Sequence, residues 1–99
     1  MRLRIYERDF EGHTLFNQYE DFEGPSASSI IQAMWDKDIF AETESLSEYV
    51  NLLSERVCQE YRIQFMPEGE TDDERALSLL QFMDREGIAD LADGRDRTT

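Results

Sequence analysis

Apolar and polar positions alternate from Arg2 to Arg8, with Leu3 and Ile5 on one side and Arg2, Arg4, Tyr6 and Arg8 on the other. That two-residue period predicts a half-buried strand. Asp9 to Gly12 offers turn residues, and His13 to Glu20 carries Thr14, Leu15, Phe16 and Tyr19, which suit a pleated surface, so a hairpin is expected. Gly24-Pro25 ends the alternation and Ser26 supplies a cap. Ala27, Ile30, Ile31 and Met34 then recur at helical spacing with Trp35 on the flank, predicting a helix to about Lys37.

Ser45-Leu46-Ser47-Glu48 has the form of a capping box, in which hydroxyl and carboxylate each satisfy an orphaned amide at a helix start. Leu46, Tyr49, Val50, Leu53 and Val57 follow on one stripe and carry that helix to roughly Glu60. Tyr61, Ile63 and Phe65 alternate with Arg62 and Gln64, predicting a short third strand that Pro67 and Gly69 interrupt. Thr71-Asp72-Asp73-Glu74 repeats the capping pattern, Ala76, Leu79, Leu80 and Met83 continue it as a helix, and Gly87 stops it. Ile88 and Leu91 are placed to close over the core. Residues 93–99 have nothing to bury and are expected to fray. The predicted order is ββααβα: a small α+β fold with a three-stranded, antiparallel sheet and three helices covering one face, a single domain over residues 1–92, and a flexible tail over 93–99.

Charge changes the picture more than size does. The chain has 99 residues with 39% apolar, enough for one core, but 23 acids face 10 bases for a net charge of −13, and Lys37 is the single lysine. Such a field repels nucleic acid and anionic membrane and attracts basic partners over a Debye length of about 10 Å at moderate salt. No direct nucleic-acid or membrane binding is therefore expected. The first residues lack the apolar run of a signal peptide, no stretch is apolar enough for a membrane span, and Cys58 is the one cysteine, which together predict a cytoplasmic chain.

Candidate chemistry is sparse. His13, the single histidine, stands beside Gly12 at the predicted turn and reads as a solvated turn residue, and Cys58 reads as a small, partly buried hydrophobe. No phosphate-cradling glycine loop is present. Asp36-Lys37-Asp38 begins like a calcium loop, but Phe40 and Ala41 occupy the positions that such a loop gives to an oxygen ligand and a glycine. The expectation is a chain that is not an enzyme and uses no metal or cofactor. A pocket holding two acids of divergent pKa would point the other way.

The acids are clustered. Glu68, Glu70, Asp72, Asp73 and Glu74 form the densest set. Asp36, Asp38, Glu42, Glu44 and Glu48 span the connection between the first two helices, and Glu20, Asp21 and Glu23 end the second strand. Helix-dipole stabilisation accounts for Asp72, Asp73 and Glu74. It does not account for Glu68 and Glu70, nor for the near absence of lysine, because an ordinary surface intersperses both signs. Removing residues 93–99 takes away two acids and two arginines, so the body carries the whole net charge. Dense carboxylates can occupy a groove built for the DNA polyanion. In size and charge the chain is similar to small phage- or mobile-element-encoded inhibitors, the anti-CRISPR and anti-restriction proteins, and to immunity proteins against nuclease toxins. The resemblance rests on composition and implies a non-enzymatic nucleic-acid mimic that binds the basic surface of a nuclease or defence complex. Phe40 and Phe22, set between acids, are its candidate anchors, with plugging the core edge as their other role.

The competing expectation is an interaction module with an apolar interface. Leu52 and Phe82 lie about 100° from the centres of their core stripes, where they would form an exposed patch for a homodimer or widen the buried face. Arg2, Arg4 and Arg8 make one basic stripe that either pairs with acids on a neighbouring strand or meets acids of a partner.

Overall fold

Strands β1 (Arg2–Arg8) and β2 (Thr14–Glu23) form the antiparallel hairpin that their alternation predicts, in a computed structural model that describes residues 1–39 and 41–92. Phe40 and the tail expected at 93–99 lie outside the described residues. The connecting turn is built on Asp9, whose Oδ1 accepts the N–H groups of Glu11 and His13 at 2.9 and 2.8 Å. Leu3 faces Phe22 and Ile5 faces Glu20 across the pair, until the register shifts between Tyr6 and Glu7, whose partners are Tyr19 and Leu15. The extra residues on β2 are a β-bulge.

Three helices follow. Ser26 caps α1 (Ala27–Lys37), with the Ser29 hydroxyl reaching back to the Ser26 N–H. Ser45 caps α2 (Leu46–Tyr61). Its Oγ accepts the Glu48 N–H at 3.1 Å, while the Glu48 carboxylate takes the hydroxyl proton instead of the backbone amide, so only half of the anticipated box forms. Thr71 and Glu74 complete both halves at α3 (Asp72–Arg85). Gly87, at φ 76°, ends α3 in the left-handed conformation that glycine adopts freely, and the Ile88 N–H bonds back to the Met83 carbonyl at 2.9 Å.

That turn delivers Ala89–Ala92, which is strand β3, antiparallel to β1 with Leu3 opposite Leu91 and Ile5 opposite Ala89. The sheet order is β2-β1-β3. The fold class is thus the expected one, a three-stranded antiparallel sheet with three helices, but the order is ββαααβ because the third strand is 89–92 and not 61–65. The reason is local. Arg62 takes a left-handed conformation (φ 57°) at the end of α2 and turns the chain back along that helix. The Ile63 N–H bonds to the Cys58 carbonyl at 3.1 Å, and Ile63 and Phe65 pack on the core without any strand beside them. The place next to β1 goes to the chain leaving α3.

Leu3, Ile5, Phe22, Ala89 and Leu91 form the inner face of the sheet. The helices cover that face, α1 over β2 and α3 over β3, with α2 packed against both. Leu3, Ile30, Ile31, Tyr49, Val50, Leu79 and Leu80 are fully buried between these layers. Phe82 is buried at 5% exposure with its ring stacked 4.1 Å from Phe65, and Leu52 is half-buried against the core. The exposed Leu52–Phe82 patch is therefore not formed, since the unpaired 61–65 segment covers that flank of α3. No helix among the described residues is long and apolar enough to cross a membrane.

Candidate partner-binding surface

The densest acid set divides by role. Glu74 accepts the N–H groups of Glu70 and Thr71 at 2.9 and 3.1 Å, bonds that hold its carboxyl below the usual range. Asp73 reaches across to α1, where the Ser28 N–H and hydroxyl donate to it at 3.0 and 2.8 Å and lower its pKa. Glu68, Glu70 and Asp72 are left exposed with no ion-pair partner among the described residues. Gly69, at φ 135°, makes the turn between them, and a Cβ there would stand 2.5 Å from the Glu74 Cβ.

In the strand set, Asp21 is held by Arg4 through two bonds of 2.8 and 3.1 Å that depress its pKa, and the Arg4 guanidinium lies 3.9 Å from the Tyr19 ring centroid. Glu20 pairs with Lys37 at the end of α1. Glu23 stays exposed at the start of the turn into α1. Phe22 is in the core at 8% exposure, the second of its two anticipated roles. In the connection set, Asp38 pairs with Arg56 and accepts the Tyr49 hydroxyl at 3.1 Å, and burial together with this carboxylate pushes the tyrosine up to about 12. Asp36 accepts from Gln32 at 3.0 Å, and Glu42, Glu44 and Glu48 are exposed.

The three sets do not converge into one patch. Glu23 and the set joined through Asp73 stand at the N-terminal end of α1, whereas Asp36 and the connection acids stand at its C-terminal end. With 11 residues at about 1.5 Å each, α1 separates the two groups by roughly 16 Å. Strand β2 packs beneath α1, with Glu20 on the helix side and Asp21 on the opposite face of the sheet, each paired with a cation.

The outer face of the sheet carries residues that the sequence did not single out as a site. No described helix covers it. Phe16 is 72% exposed and Tyr19 47%, and their rings stand 5.2 and 6.3 Å from that of Tyr6, whose hydroxyl bonds to Asp90. Two residues three apart on a strand normally point to opposite faces. The bulge puts both against Tyr6, and nothing in the spacing of these residues announces it. Arg8 is engaged internally, donating to the Gly12 carbonyl at 3.1 Å and lying over the Tyr61 ring.

A cleft of about 620 Å³ opens between the hairpin and α2, lined by Arg8, Arg56, Glu60, Tyr61 and Met34 among others. Asp9 at its rim is held below the usual carboxylate range by the His13 and Glu11 amides. Asp9, Glu11 and His13 bring one potential ligand atom each within 4.8 Å of one another, with one Asp9 oxygen already engaged by the turn. In the sequence these three residues read only as parts of a turn.

Compared with protein-family models, curated proteins and solved structures, the chain matches none.

Proposed function

We propose that the protein is a non-enzymatic binding protein that lays its acidic border on the basic, nucleic-acid-binding surface of a target such as a nuclease or defence complex, acting as a nucleic-acid mimic in the manner of anti-CRISPR and anti-restriction proteins. The observation that carries this is the set of acids left over after internal pairing. Glu68, Glu70 and Asp72 at one end of α1, and Asp36, Glu42 and Glu44 at the other, make no ion pair among the described residues, while Glu23 stands opposite Arg2 in the strand register. Phe16 and Tyr19, beside Asp21 on the outer sheet face, replace Phe22 as the aromatic anchors, because contact area gives affinity while rim charges mainly set on-rate.

The test is capture of the target by parent and E68K/E70K/D72K chains at low and high salt, followed by competition with DNA or RNA. The proposal expects a retained nucleic-acid-binding protein that is lost on charge reversal, weakened by salt and displaced by nucleic acid. The exposed Phe16 and Tyr19 also favour a second reading, an interaction module docking through the open sheet face. Capture that resists salt and charge reversal but is lost in Phe16→Ala selects it.

A further inference from the structure

The pairing of β1 leaves one side of β2 open. The Gly24 N–H donates to the Met1 carbonyl at 3.0 Å, and the Tyr6 N–H to the Ile88 carbonyl at 3.5 Å. In an antiparallel pair, residues that exchange hydrogen bonds alternate with residues that do not. With Arg2 opposite Glu23 and Arg4 opposite Asp21, the first bond makes Leu3 and Ile5 the residues that bond to β2, through Phe22 and Glu20. The second makes Arg2, Arg4 and Tyr6 the residues that bond on the β3 side. Tyr19, Asp21 and Glu23, which face Tyr6, Arg4 and Arg2, therefore turn their N–H and C=O groups away from β1. The sheet order places β2 at an edge, so those groups line a free margin with no strand beside it among the described residues.

The side chains of the same three residues stand on the outer face of the sheet, where the rows crossing the strands alternate in sign. One row runs Asp90, Arg4, Asp21, and the next Ala92, Arg2, Glu23. A third sets Tyr19 beside Tyr6, with Phe16 against the same ring. Arg4 holds Asp21 from the β1 side. Neighbouring strands lie about 4.8 Å apart, so a strand added at this margin sets its side chains directly against Glu23, Asp21 and Tyr19, whereas Arg2 and Arg4 lie one strand further back.

We propose that the free margin of β2 over residues 19–23 is a docking edge for an extended segment of the partner protein, one with basic residues at two alternate positions and an aromatic residue two positions later. The proposal rests on the acidic reading above and gives its partner a sequence pattern. The segment adds as an antiparallel fourth strand and pairs its backbone with Glu23, Asp21 and Tyr19. Its two cations then stand opposite Glu23 and Asp21, which continues the alternation of sign, and its ring stands beside Tyr19. Main-chain pairing supplies affinity and side chains supply selection, as in other strand-addition complexes. Charge chooses the occupant. An antiparallel pairing with the same margin of a second copy, centred on Asp21, sets that carboxylate against its own counterpart and brings together two chains of net charge −13. A nucleic acid is repelled and has no peptide backbone to pair.

The experiment is amide hydrogen exchange of the isotope-labelled full chain with a short peptide that carries lysine, lysine and phenylalanine at alternate positions with threonine between them, and with its counterpart carrying glutamate for lysine. With the lysine peptide, exchange at Tyr19, Asp21 and Glu23 slows by about tenfold or more, exchange at Glu20 and Phe22 changes less because their amides already face β1, and the glutamate peptide leaves all five unchanged. Methylating the peptide's backbone nitrogens on the pairing side keeps its charge and abolishes the protection, whereas methylating those on the far side does not. Slowing that is absent, that ignores the alternation, or that survives methylation of the pairing side overturns the docking edge. Equal protection by the glutamate peptide overturns the choice of a basic occupant. Protection that rises with protein concentration in the absence of peptide assigns the margin to a second copy and overturns it too. Failure of the edge while target capture is still lost in the E68K/E70K/D72K chain leaves the acidic border standing. Lysine-peptide docking together with target capture that survives that reversal means that the edge is real and the mimicry reading fails.

Discussion

The carboxylate of Asp73, in the first turn of α3, closes the N-terminus of α1 by accepting the Ser28 N–H at 3.0 Å and the Ser28 hydroxyl at 2.8 Å. One negative charge thus serves two helix starts, where the dipoles favour it. Those bonds hold its pKa below the ordinary 3.8. A carboxyl lowered by folding stabilises above its ordinary pKa and loses that contribution as pH falls through the folded value. Asp73→Asn should therefore lower Tm at neutral pH, and the gap to the parent should close only below about pH 4. Thermal melts across pH check this; a gap that is unchanged in acid assigns the loss to packing and not to charge.

Arg4 and Asp21 face each other on neighbouring strands and exchange two bonds on the open side of the sheet. Reversing either charge alone sets like charges opposite one another and should lower Tm. The double exchange, Arg4→Asp with Asp21→Arg, should recover part of the loss. Recovery stays incomplete because the guanidinium no longer lies over the Tyr19 ring, a contact of 3.9 Å in the parent. Three melts decide it: no recovery would mean that Arg4 acts through Tyr19 alone.

Phe82 and Phe16 separate stability from recognition. Phe82 is 5% exposed and stacks on Phe65, so Phe82→Ala should cost about 3–5 kcal/mol in urea unfolding. Phe16 is 72% exposed, and Phe16→Ala should leave stability within about 0.5 kcal/mol while weakening partner capture. A Phe16→Ala chain that unfolds early but binds normally would assign that ring to the sheet and not to the partner.

Where the sequence was legible, the chemistry was local. Ser26, Ser45 and Thr71 announce three helix starts because capping involves only the next few residues, and each core stripe is read from its own spacing. The third strand was not legible. Residues 61–65 look more strand-like than Ala89-Asp90-Leu91-Ala92, whose alanines and aspartate disfavour strands. Pairing beside β1 is decided by where α3 releases the chain, through Gly87 and the Met83–Ile88 bond. The same holds for the candidate surface. Asp72 to Glu74 are recognisable as a helix start from four consecutive residues, but Asp73 meeting Ser28 and Phe16 meeting Tyr6 are tertiary events that no spacing encodes. Phe22 lies between acids in sequence, yet its register opposite Leu3 sends it inward.

Gly69 links the charge of the candidate surface to its shape. At φ 135° it occupies backbone space that side chains rarely adopt, and a Cβ there would meet Glu74 Cβ at 2.5 Å and the Arg75 N at 3.0 Å. Gly69→Ala should therefore cost about 1–3 kcal/mol, read as a lower urea midpoint with unchanged slope. Gly87→Ala, where nothing stands within 4 Å, carries only the backbone strain of φ 76° and should cost less. Neither substitution changes charge. If the border works as a fixed array, Gly69→Ala should weaken target capture at low salt, because it displaces Glu68 and Glu70 from Asp72, while Gly87→Ala should not. Equal capture by both variants would show that net charge alone recruits the target and that the geometry of the 68–72 turn serves only the start of α3.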